Sequence, residues 1–143
     1  MIIQDLDGND IEWQPGSRKQ NKRVTSKLQQ KAVEEILMVL PGTMVLQEVA
    51  IPIRKGKTLY LDIYLPRHKV AVEVMGAQHG KARVSFFHTS EQCRRQTRND
   101  KCKKEWCELN NIPLVYFEYN ENPEQWKIKL RQVLYQEYKG QTE

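Results

Sequence analysis

The spacing of apolar residues along this chain changes from one every three or four residues to one every second residue, and then back again. Between Ser26 and Leu40, the residues Leu28, Ala32, Ile36 and Leu40 recur at helical spacing. Ser26 and Gln29 have the spacing of a capping box, and Pro41-Gly42 closes the segment, so the pattern predicts a helix. The runs MVLQEVAIPI, TLYLDIYL and VAVEVM are short, rich in β-branched or aromatic residues, and divided by RKGK and PRHK. They predict three consecutive strands in a meander. A loop from Gly76 to about Ser90 leads into a second helix ending near Asn110, with Cys102, Trp106 and Leu109 on its buried side. PLVYFEY, opened by Pro113, predicts a strand, and Trp126, Leu130, Val133 and Leu134 mark a last amphipathic helix. The order αβββαβα predicts an α/β domain with a mixed central sheet.

Two features precede that pattern. IIQDLDGNDIEW places an Asp-Gly turn between short apolar ends, which predicts a hairpin or an ordered arm. SRKQNKRVT then reads as a connector or a DNA-contacting arm. These divide the chain into an N-terminal segment, 1–24, and a main domain, 25–143.

At 143 residues the chain is long enough for one core of its own. No apolar run approaches the roughly 20 residues needed to cross a bilayer, which argues against a membrane protein. MIIQDLDGND lacks a basic region followed by a long apolar stretch, so the expected location is the cytoplasm of a bacterial or phage-infected cell. Cys93, Cys102 and Cys107 contain no CxxC pair and fit reduced thiols. Zinc is the sharper alternative, but on a helix Cys102 and Cys107 stand roughly 140° apart and diverge.

The formal charge of +5 is clustered. Residues 17–31 carry six basic side chains, Arg18, Lys19, Lys22, Arg23, Lys27 and Lys31, and no acid. Residues 81–104 carry eight against Glu91 and Asp100. Such stripes neutralise phosphates and attract a polyanion, although a plain solvated face has the same composition.

The strand pattern also fixes where two acids meet. If Leu65 and Val70 close a four-residue loop, facing residues sum to 135 and Asp62 lies opposite Glu73. Alternation puts Leu61, Ile63 and Leu65 on one face with Val72 and Val74, leaving both acids on the other face with Cβ atoms roughly 5 Å apart. Facing carboxylates repel, and once buried one of them takes a proton unless a cation lies between them. Mg²⁺ suits such a pair because it favours carboxylate and water ligands. A solvent-facing pair flanked by Lys or Arg, or a slipped register, is the alternative.

This sequence resembles the PD-(D/E)XK nuclease superfamily, whose αβββαβ core carries acids on its second and third strands. LDIYLPRHKVAVEVMGAQH and QTRNDKCKKEWCELNNIPLVYF are similar to segments of the very-short-patch-repair-like phage and homing endonucleases and of small Holliday junction resolvases. The likeness spans Ser26 to Phe117 and implies a restriction-endonuclease-like core. It also implies Asp62 and Glu73 as ligands of Mg²⁺, replaceable by Mn²⁺, with the Val74 carbonyl as a third ligand. By the same resemblance Gln78 and His79 occupy a Gln-His pair, His79 being the candidate general base or water-polarising group, with a backbone-bonded loop histidine as the plainer reading. Asp100 matches an acid of the helix motif, although helical arithmetic turns it about 160° from Cys102. An acid early in the first helix is replaced by Gln29, with Glu34, Glu35 and Glu48 as substitutes or ordinary surface charges. Met75 replaces the motif lysine and carries neither a proton nor a charge, which leaves Gln78, His79 or Lys81 to supply the polar function.

The resulting expectation is a metal-dependent DNA endonuclease. Arg94, Arg95, Arg98 and Lys101, with Lys81 and with Arg18, Lys19, Lys22 and Arg23, would hold phosphates. A domain this small favours DNA shape over long sequence, hence branched DNA cut by a homodimer. The alternatives are a mismatch- or site-directed nickase, an enzyme acting on RNA, or a binding protein that has lost its chemistry.

Overall fold

The computed structural model describes residues 1–16, 26–76 and 90–142, with side chains left aside at 90–93, 96 and 137–142. The chain is a mixed α/β protein. It contains β1 (Ile2–Gln4), β2 (Asp10–Glu12), α1 (Lys27–Val39), β3 (Leu46–Arg54), β4 (Lys57–Leu65) and β5 (Val70–Met75), followed by α2 (Ser90–Leu109), β6 (Leu114–Glu118) and α3 (Pro123–Thr142). After the β1–β2 hairpin the order among the described residues is αβββαβα, as the sequence pattern predicts.

β3, β4, β5 and β6 form one sheet in that order, antiparallel from β3 to β5 and parallel between β5 and β6. Chain direction requires this mixture. The Lys55-Gly56 and Pro66–Lys69 turns return the strand antiparallel, whereas β6 is reached only after α2 has crossed the sheet. Gly56 takes φ 83° in the first turn, a conformation that favours glycine. Pro52 is tolerated because β3 is an edge strand.

Each helix is placed by its apolar stripe. Ser26 caps α1, its Oγ accepting the Gln29 N–H at 3.1 Å. Ala32 and Ile36 then lie with Ile63, Leu65, Val72, Phe117, Trp126 and Leu130 in a core between the sheet and the α1–α3 layer. Phe117 and Trp126 stack there, with centroids 5.0 Å apart. The other sheet face carries Val49, Ile51, Leu61, Tyr64 and Ala71, covered by Trp106 and Cys107 of α2 and by Ile3 and Trp13 of the hairpin. Trp13 ties that hairpin down by donating its indole N–H to the Ala50 carbonyl at 3.0 Å and packing edge-on against Trp106.

Two packing expectations are corrected. Leu61 does not share a face with Ile63 and Leu65, because it lies in the α2-side core with Tyr64 and Ala71. Strand alternation therefore changes phase between Leu61 and Ile63, beside Glu48, whose φ of 52° breaks the regular geometry of β3. Leu109 is exposed, and Cys107 takes its place on the buried side of α2. Among the described residues, no helix is long and apolar enough to cross a membrane.

Candidate metal centre

The β4–β5 register runs Leu65↔Val70, Tyr64↔Ala71, Ile63↔Val72, the pairing that the loop length predicts, and it ends there, one residue short of Asp62 and Glu73. At this point the carboxylates bond across the strands. The Asp62 N–H donates to Glu73 Oε2 at 2.8 Å, and the Val74 N–H donates to Asp62 Oδ2 at 2.8 Å. Each acid is thus held by the backbone of the other's strand, an arrangement that brings two negative groups together and fixes them there.

Glu73 is buried, with about 4% of its surface exposed, whereas Asp62 is half-buried. Burial, followed by the charge of Asp62, pushes the Glu73 carboxyl up to about 8 from its usual acidic range. Lys103 of α2 opposes that shift by donating from Nζ to Glu73 Oε1 at 2.7 Å, with only 16% of its side chain exposed. Burial alone would lower the Lys103 pKa, but Glu73, Asp62 and Asp100 together hold it above its usual value.

The neighbours complete the enclosure. Gln29 is buried, and its amide donates to Gln47 Oε1 at 3.0 Å and to the Asp62 carbonyl at 3.3 Å, so it braces the Asp62 backbone. Tyr116 is the β6 partner of Glu73, and burial, followed by the Glu73 charge, raises its phenol above the usual range. Cys107 behaves as a core residue, its thiol pushed up to about 12 mainly by burial. Cys102 and Cys107 are both free thiols packed on the α2-side core.

Several other acids and bases fall away from this pair or beside it. Glu48 lies between Gln47↔Ile63 and Val49↔Leu61, which places it opposite Asp62 on β3, half-buried. Glu34 is exposed, and Glu35 is buried in an ion pair with Lys127 at 3.1 Å, on the α1–α3 side. Asp100 is half-buried, and its charge acts on both Lys103 and Tyr116. The expectation that it turns away is corrected, because the site-facing stripe of α2 runs through Asp100, Lys103 and Cys107 rather than being centred on Cys102. Arg94, Arg95, Arg98 and Lys101 are exposed on α2. Gln78, His79, Lys81, Arg18, Lys19, Lys22 and Arg23 lie outside the described residues.

The donor set fits a hard divalent cation. Both side chains are oxygen donors, and the three hydrogen bonds they accept leave lone pairs available on a carboxylate pair that offers about eight. Among the described residues, no group of three or more His, Cys, Asp or Glu side chains is placed to hold a metal. An ion here would therefore draw its remaining ligands from backbone, water or substrate, the habit of Mg²⁺ rather than of structural zinc.

A virus protein shares part of this sequence. The chain is 36% identical over 72 residues to an uncharacterized protein, 307L, of Invertebrate iridescent virus 6, covering 48% of this chain and 36% of the viral one. The match thus spans little more than a third of that relative's length. No protein-family model and no solved structure matches the chain.

Lys103 is the site residue that the sequence pattern left unmarked. It is one of eight basic residues within 81–104, and its charge alone does not separate it from the others. The distinguishing signal is spacing, since Lys103 precedes buried Trp106 and Cys107 by three and four residues and so shares their inward face.

Proposed function

We propose that this chain is a metal-dependent DNA endonuclease of the PD-(D/E)XK type, with Asp62 and Glu73 holding Mg²⁺. The observation that carries this reading is the carboxylate pair itself, two acids locked across adjacent strands, one buried and driven toward its neutral form. A stable fold gains nothing from placing like charges together with one of them buried, so the arrangement suits a cation-binding function. The bound ion would supply Lewis-acid polarisation of the scissile phosphate and would favour ionisation of an attacking water.

The protein's own groups do the rest. Asp62 and Glu73 bind the ion, with the Val74 carbonyl as a further donor, and Gln29 keeps Asp62 in register. His79 accepts the proton of the attacking water, assisted by Gln78, and Glu48 and Asp100 shape the field around the pair. Exposed Arg94, Arg95, Arg98 and Lys101 meet phosphates along α2, with Lys81 and the basic 17–31 stretch extending the track. The substrate is branched DNA, such as a four-way junction, cut by two copies of the chain acting on two strands. Mismatch- or site-directed nicking uses the same centre.

One observation favours a second reading, that of a nucleic-acid-binding protein with weakened chemistry. Met75, half-buried two residues after Glu73, has no polar group to offer. The Lys103 ammonium at Glu73 provides a basic group within the site from another element.

The two readings separate in one assay. Four-way junctions, mismatched, linear and single-stranded DNA, and single-stranded RNA are incubated with the full chain in Mg²⁺, Mn²⁺ or EDTA. The endonuclease reading predicts cleavage that requires the metal and is fastest on the junction. Tight, EDTA-insensitive binding without cleavage of any substrate would establish the second reading instead.

A further inference from the structure

The ammonium of Lys103 occupies the position at Glu73 that an external cation would need. Its Nζ lies 2.7 Å from Glu73 Oε1, both side chains are largely buried, and Asp62 and Asp100 add to the negative field around it. A dication on the carboxylates would repel the adjacent ammonium in a weakly screened environment. Lysine suits a displaceable role because its charge sits on a flexible four-carbon stem, so the head can leave Glu73 while the stem stays packed. The Lys103 side chain keeps 16% of its surface exposed.

We infer that Lys103 is a resident counter-ion of the carboxylate pair, exchanged for the divalent ion when the site loads. This rests on the metal-site reading above. In the metal-free protein the Lys103 ammonium bonds to Glu73, and the charge of Asp62 helps to hold it there. On loading, the ammonium leaves Glu73 and becomes accessible beside the pair. Lys103 is therefore a positioning residue that sets how readily the centre takes up metal.

Acetylation of the full-length wild-type chain by a water-soluble acylating reagent, read lysine by lysine by mass spectrometry, tests the exchange. Ca²⁺ serves as the probe ion, and calorimetry on the same samples records whether it binds. Without metal, Lys103 should react slowly, and saturating Ca²⁺ should speed its modification by about tenfold, the difference between a paired and a solvated ammonium. Lys127 and Lys129, which are ion-paired with Glu35 and Glu121 away from the carboxylate pair, are internal standards and should not change. The Ca²⁺ effect on Lys103 should vanish in Asp62→Asn. Calorimetric binding of Ca²⁺ with no change at Lys103 would overturn the exchange while leaving the metal site intact. Absence of any Ca²⁺ binding would overturn both.

Discussion

Asp62→Asn is expected to lower Mg²⁺-dependent cleavage by at least about 10³-fold, because an ion that stabilises developing charge by several kcal/mol loses its anionic anchor. The fold should persist. Asparagine keeps the size of the side chain and an oxygen that can accept the Val74 N–H, the bond that Asp62 Oδ2 makes in the wild type. DNA binding should persist too, since the proposed phosphate contacts come from exposed Arg94, Arg95, Arg98 and Lys101 rather than from the acids. Nicking rates and filter binding measured on one preparation separate these effects. Cleavage within about tenfold of wild type, with the thermal transition unchanged, would remove Asp62 from the metal centre.

The second large effect is in pH. Glu73 titrates near 8 in the folded chain against its usual 4.5, with burial as the main cause and the charge of Asp62 next. The folded carboxyl therefore keeps a proton that the unfolded chain releases as pH rises from about 4.5 to about 8, and the metal-free protein loses stability across that window. A cation must displace this proton. At pH 6 Glu73 keeps its proton, so Mg²⁺ affinity should be weaker there than above pH 9, falling by about tenfold per pH unit on the acid side. Calorimetry in buffers of different ionisation enthalpy should show release of nearly one proton per ion at pH 6.5 and almost none above pH 9. An affinity independent of pH would place the ion elsewhere.

The Asp62–Glu73 juxtaposition is legible in the sequence because two independent constraints meet there. The four-residue loop Pro66–Lys69 sets the register, and the continuous apolar character of Val70–Val74 fixes β5 as an interior strand. The fate of Leu61 is not legible in the same way. Its face depends on a local break in alternation beside Glu48, a non-glycine residue at φ 52° that no turn signal announces.

The orientation of α2 is the other illegible feature. Its apolar residues are sparse, so a stripe drawn through Cys102, Trp106 and Leu109 fits the helical period nearly as well as one through Lys103, Trp106 and Cys107. Packing decides between them. Trp106 wedges against Trp13 at 5.2 Å, and Cys107 lies inward with Lys103 at Glu73, while Leu109 turns to solvent. The contribution of the N-terminal hairpin to that core is long-range in the same sense. The Asp-Gly turn predicts a hairpin, but not that Trp13 would cover the sheet beneath α2.

The central claim, that a divalent cation sits at Asp62 and Glu73, is tested most directly by paramagnetic NMR with Mn²⁺ on the ¹⁵N-labelled wild-type chain. The Asp62 and Val74 amides lie on the two carboxylates. Substoichiometric Mn²⁺ should broaden those two resonances first, with the amides beside them on β4 and β5 next, and excess Mg²⁺ should restore them. Broadening centred on another part of the chain, with Asp62 and Val74 unaffected, would contradict the account.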